Sequence, residues 1–153
     1  GSIQSPQNAY YLNLGLESLH IRMKRHCETA QKVAEFLSRS DKIAWVQYCG
    51  LPGDRYYELG RKYLPNGSCG VVSFGVKGGR EAAERFMENL KIAAIETHVA
   101  DARTCCLHPA STTHRQLTEE GLQKAGITGD LVRYSCGLED AEDLIADIEQ
   151  ALR

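Results

Sequence analysis

A β-patterned run with an arginine at its centre, Leu131-Val132-Arg133-Tyr134-Ser135, constrains this chain more than any other stretch. A turn follows, and Asp140 opens a helix whose apolar face carries Ala141, Leu144, Ile145, Ile148, Ala151 and Leu152. A short strand feeding into an amphipathic helix belongs to a layered α/β arrangement. The guanidinium is costly in a half-buried strand unless an anion meets it. Its planar fork matches a carboxylate in a bidentate way. Two partners stay open from the residues alone: an acid of this chain, such as Glu139, or the carboxylate of a substrate.

The rest of the chain alternates in the same way. Residues 8–38 place Leu16, Leu19, Met23, Cys27, Ala30, Val33, Ala34 and Leu37 at helical spacing, with Gly15 marking a bend or a break. Residues 43–48 read as a strand. Asp54 has helix-start chemistry before a short helix over 55–64. Residues 69–76 form a strand, and Gly78-Gly79 turns it into a helix over 80–90 with Ala82, Ala83, Phe86 and Leu90 inward. Short apolar runs follow at 92–95 and 104–107, the second ended by His108-Pro109. A short helix opens at Thr118 and closes near Gly126. No repeat, low-complexity tract or linker divides the chain.

At 153 residues, one domain with a real core is expected. A net charge of −2 with scattered basic residues argues against nucleic-acid binding. No apolar stretch reaches the ~20 residues of a membrane span, and no signal-peptide pattern is present, so a cytoplasmic protein is expected. Gly1-Ser2 reads as a tag remnant, leaving residues 3–153 as the domain. Cys27, Cys49, Cys69, Cys105, Cys106 and Cys136 include no CxxC pair. They read as reduced thiols, and no metal is expected.

Few segments carry chemistry by themselves. Gly78-Gly79 precedes a helix but lacks the spacing of either phosphate-binding fingerprint, and reads as a tight turn. His108 to His114 offers imidazoles and hydroxyls without a nucleophile elbow, which suits a loop-ordering role. His98, in Thr97-His98-Val99-Ala100-Asp101, lies in a polar turn between two short strands. Its imidazole and the nearby amides could donate to an anion.

Taken together, the segments SPQNAYYLNLGLESLHIRMKRHCETAQKVAEFL, YCGLPGDRYYELGRKYLPNG, VVSFGVKGG, LHPASTTHRQL and LVRYSCGLEDAEDLIADIEQAL resemble one family. They are similar to the carboxy-terminal domain of the O-acetylhomoserine sulfhydrylases, within the Cys/Met-metabolism family of pyridoxal-phosphate (PLP) enzymes. The resemblance covers the chain after residue 2. It implies a small α/β domain: a mostly antiparallel sheet of about four strands, helices on one face, and a long leading helix. It implies a separate PLP-binding domain upstream, whose anchoring lysine follows a Ser or Thr. Lys24, Lys32, Lys42, Lys62, Lys77, Lys91 and Lys124 do not.

The resemblance gives Arg133 the substrate α-carboxylate and gives the loop at His98 and Val99 further carboxylate contacts, partly from backbone N–H groups. The sequence departs from several relatives, which have Ser or Asn at His98 and Gly at Ala100. The implied activity of the parent converts O-acetylhomoserine and sulfide, or a thiol, to homocysteine or methionine, with the isolated chain inactive. A homotetrameric parent is implied, and self-association of this chain near Tyr10, Tyr11 and Leu14 is expected. The alternatives are the same domain of a methionine γ-lyase or cystathionine enzyme, and a free-standing ligand-binding or structural domain.

Overall fold

The computed structural model describes residues 1–153. Eleven elements follow one another: α1 (Pro6–Glu17), α2 (Leu19–Arg39), β1 (Ile43–Gln47), α3 (Tyr57–Tyr63), β2 (Val71–Val76), α4 (Gly79–Asn89), β3 (Ala94–Ile95), β4 (Cys105–Leu107), α5 (Glu119–Lys124), β5 (Leu131–Ser135) and α6 (Ala141–Ala151). The sheet has five strands in the order β1-β2-β5-β4-β3. Every pairing is antiparallel except β3 with β4. The sequence leads to about four strands. The fifth is β3, only two residues long, which periodicity cannot resolve.

Strand alternation divides the sheet into two faces. Val72, Phe74, Val76, Val132, Tyr134, Cys136 and Cys106 join the core with Ala30, Val33, Ala34 and Leu37 of α2, Phe86 of α4, and Leu144 and Ile148 of α6. The helices that pack on the sheet therefore lie on that face. Phe74 packs edge-on against Phe86 at 5.7 Å, a favoured quadrupole arrangement. Ser73, Arg133 and Ser135 stand on the opposite face, with Ser73 directly across from Arg133 and Leu107 on its other side.

Asp147 fixes α6 to the sheet edge. It is a buried carboxylate that accepts from the N–H groups of Lys91 and Ile92, both at 2.9 Å, and of Ala93 at 3.3 Å. Those donors would otherwise be orphaned where the chain leaves α4 for β3.

The expected single run over 8–38 is two helices, and the break falls at Ser18 rather than Gly15. Arg22 donates to Ser18 Oγ at 3.2 Å and to Gly15 O at 2.6 Å, so its guanidinium satisfies a carbonyl at the end of α1. Ser5 caps α1 through Asn8 N, and Pro6 takes the first-turn position where its missing N–H costs nothing. None of α1 is buried. Tyr10, Tyr11, Leu12, Leu14 and Leu16 each expose half or more of their surface. No helix is long and apolar enough to cross a membrane.

Candidate functional site

The site lies on the sheet face that the helices leave uncovered. β3 and β4 run parallel, so residues 96–104 must carry the chain back from the end of one to the start of the other. That crossover is stitched to β5. Arg133 Nη2 donates to Thr97 O at 2.8 Å and lies 3.5 Å from His98 O. Ala100 N donates to Ser135 Oγ at 3.3 Å. Ala100 itself takes φ of 59°, a left-handed conformation that disfavours a residue with a Cβ.

Arg133 pairs with no acid of this chain. Its Nε is buried and has no hydrogen-bond partner, and no salt bridge reaches the guanidinium. Glu139, the internal candidate, is engaged elsewhere. Its carboxylate accepts from Thr104 N at 2.8 Å and from Thr104 Oγ1 at 2.7 Å. Thr104 Oγ1 in turn accepts from Gly137 N at 2.8 Å. A Cβ on Gly137 would collide with the Glu139 carboxylate and the Arg103–Thr104 backbone, so glycine permits this close approach.

His98 is exposed. Its Nδ1 lies 3.2 Å from Glu96 Oε2 and 3.3 Å from Asp101 Oδ2. The Arg103 backbone N–H, then the guanidinium and imidazole nearby, hold the Asp101 carboxyl below the usual range. Val99 exposes more than half its surface. The backbone N–H groups of His98 and Val99 donate to no backbone carbonyl or side chain. Arg133 and the His98–Val99 segment are thus brought together, joined through carbonyl oxygens that sequence cannot reveal. Ser135 was recoverable, because it shares a face with Arg133 two residues away.

The other candidates are structural. His108 is fully buried between Ser111 Oγ and Gly129 O, each at 2.7 Å, with Thr112 Oγ1 donating to its carbonyl. Ser111 N also donates to Nδ1, at 3.3 Å, so Nε2–H donates to Gly129 O. It is the loop-ordering role read from the sequence. Gly78 and Gly79 take φ of 103° and 73°, and a Cβ on Gly78 would meet Ala82, so this is a tight turn. All six cysteines are free thiols.

Pyridoxal phosphate needs an anchoring lysine and a phosphate cradle. All seven lysines here lie exposed at the surface, and the glycine turn is packed against Ala82. This chain's own groups do not fit the cofactor. They fit an anion that a buried, unpartnered guanidinium N–H could bind.

Fold and site define a two-layer α/β domain with an arginine presented on its open sheet face. The description "Cys/Met metabolism PLP-dependent enzyme" matches residues 1–153. The chain belongs to the Cys/Met-metabolism family of PLP-dependent enzymes. It is 44% identical to an O-acetyl-L-homoserine sulfhydrylase of Leptospira meyeri, over 100% of this chain and 35% of that protein. It is 43% identical to an L-methionine gamma-lyase of Fusobacterium nucleatum, over 99% of this chain and 38% of the relative. A crystal structure described as an O-acetylhomoserine (thiol)-lyase of Campylobacter jejuni, with a pyridoxyl-lysine monophosphate, superposes with a TM-score of 0.92 at 42% identity. The match covers 99% of this chain and 36% of that one. The chain spans little more than a third of these relatives' lengths.

Proposed function

We propose that this chain is the carboxy-terminal, carboxylate-binding domain of an O-acetylhomoserine sulfhydrylase, with the PLP-binding domain in the remainder of a longer protein. The observation that carries the reading is the buried Nε of Arg133, unpartnered on the open face of the sheet. A desolvated guanidinium N–H without an acceptor costs free energy, and an incoming carboxylate supplies one. The Thr97 and His98 carbonyls orient the fork by holding Nη2, which leaves Nε for the ligand. The N–H groups of His98 and Val99 are unengaged nearby and supply further donors to the same carboxylate.

The chemistry follows from position. A carboxylate gripped at this wall fixes the Cα of O-acetyl-L-homoserine and presents its proton to a base on the other domain. Pyridoxal phosphate, when bound, supplies the electron sink for that proton loss. A second proton must then be lost from Cβ before acetate can leave from Cγ; sulfide or methanethiol adds at Cγ and the protons return to Cβ and Cα, giving homocysteine or methionine. Residues of this chain make no covalent bond in that sequence; they bind, orient and wall off water. The exposed apolar side chains of α1 are covered, in this reading, by the rest of the longer chain or by a subunit of a homotetramer.

The near-equal identity to a methionine γ-lyase supports a second reading, elimination from methionine by the same scaffold. Assay of the longer protein separates them. The sulfhydrylase reading expects turnover of O-acetylhomoserine with sulfide far above turnover of methionine alone. The reverse order overturns it in favour of the lyase.

A further inference from the structure

We propose that the crossover loop holds a site for a zinc-class divalent cation, with Glu96 Oε2, His98 Nδ1 and Cys105 Sγ as ligands and a fourth position taken by water. Single ligand atoms of Glu96, His98 and Cys105 already lie within 4.8 Å of one another. His98 Nδ1 stands 3.2 Å from Glu96 and 3.3 Å from Asp101, and Cys105 Sγ stands 3.9 Å from Glu96 Oε2. Tetrahedral zinc, with bonds of about 2.0–2.3 Å, holds its ligand atoms roughly 3.2–3.7 Å apart. The His98–Glu96 and Cys105–Glu96 separations are near that pattern, and the exposed imidazole can turn to close the set, with Asp101 left as a neighbour of the imidazole.

The donor set selects the ion. One imidazole and one thiolate with one carboxylate favour a borderline-soft metal over magnesium or calcium, which take oxygen alone. The charge arrangement agrees. Arg103, 65% exposed, sits 3.5 Å from Glu96 and 3.8 Å from Asp101, so a mobile cation already answers these carboxylates. A metal would displace it towards solvent at small cost. The residues fall at E-x-H-x6-C, and only the parallel β3–β4 crossover brings the two ends together. Because Thr97 and His98 lie inside this loop, a bound metal would pin the carbonyls that hold Arg133.

Cobalt(II) titration of the 153-residue chain tests the site. A sulfur-to-cobalt charge-transfer band in the near ultraviolet should saturate at one equivalent. Cys105→Ser should abolish the band. His98→Asn, at an exposed position, should weaken cobalt binding at least about tenfold without disturbing the fold. Arg103→Gln should tighten it by removing the competing cation. Cys49→Ser, away from the loop, should leave it unchanged. No band at saturating cobalt overturns the proposal. So does a band that survives Cys105→Ser, or an affinity unchanged in His98→Asn. Should Cys105→Ser fail the circular-dichroism check for folding, His98→Asn decides alone.

Discussion

Glu139→Ala probes the network that frees Arg133 from an internal partner. The carboxylate makes two short, charge-assisted contacts, to Thr104 N and Thr104 Oγ1, and Thr104 is fully buried. Charged hydrogen bonds contribute about 1.5–3 kcal/mol each, and partial exposure of Glu139 places the pair near the lower end, about 3 kcal/mol in all. For a chain of this size that is a fall in melting temperature of roughly 6–12 °C. Differential scanning calorimetry measures it. Double-mutant cycles add the sharper test: Glu139→Ala with Thr104→Val should couple by at least about 1 kcal/mol. Glu139→Ala with Arg133→Leu should couple by less than about 0.5 kcal/mol. The refuting result is the opposite pattern, strong coupling to Arg133 and weak coupling to Thr104. It would mean that the arginine is held by its own chain's acid.

Three further outcomes are expected. Asp147→Ala strands the N–H groups of Lys91, Ile92 and Ala93 and should lower stability by about 3 kcal/mol in urea denaturation, against less than about 0.5 kcal/mol for an exposed acid such as Glu149. Burial pushes the Cys106 thiol from 9.0 up to about 12. Between those values the unfolded chain has lost the proton that the folded chain keeps. Stability should therefore be full below 9.0 and fall as pH rises toward about 12, by roughly 1.4 kcal/mol per pH unit for this one thiol. Urea midpoints from about pH 8 to about pH 11 read the slope, and Cys106→Ala should reduce it by that share, the remainder coming from other raised thiols such as Cys136. The exposed apolar side chains of α1 should drive self-association of the 153-residue chain in sedimentation, and Tyr11→Glu with Leu14→Glu should restore a monomer.

Much of this architecture was legible in the residues. The strand over 131–135 has the predicted bounds because alternation, β-propensity and a following acid cap all agree there. Asp140 accepts from Glu142 N as its position before an apolar periodicity implied. The break between α1 and α2 was misplaced because glycine is a local signal, whereas the break depends on Arg22 reaching back to Gly15 O. β3 was only partly visible, since its two residues owe their pairing to β4 rather than to any pattern of their own. At the site, Arg133 and His98 were picked out from the residues, and Val99 only through the family resemblance. Their junction runs through backbone carbonyls, which no side-chain spacing encodes. Asp147 escaped for a related reason: a lone acid on an apolar helix face looks like a solvated edge until its three backbone donors are placed around it.

The account turns on whether Arg133 grips a substrate carboxylate. The direct measurement is kcat/KM of the longer enzyme and its Arg133→Gln variant, each with O-acetyl-L-homoserine and with the corresponding carboxamide. Breaking a desolvated charge pair costs about 2–5 kcal/mol, so the variant should lose roughly 30- to 4,000-fold with the carboxylate substrate. It should lose little with the carboxamide, because that contact is already gone. Equal losses with both substrates, or no loss with the carboxylate, would contradict the account.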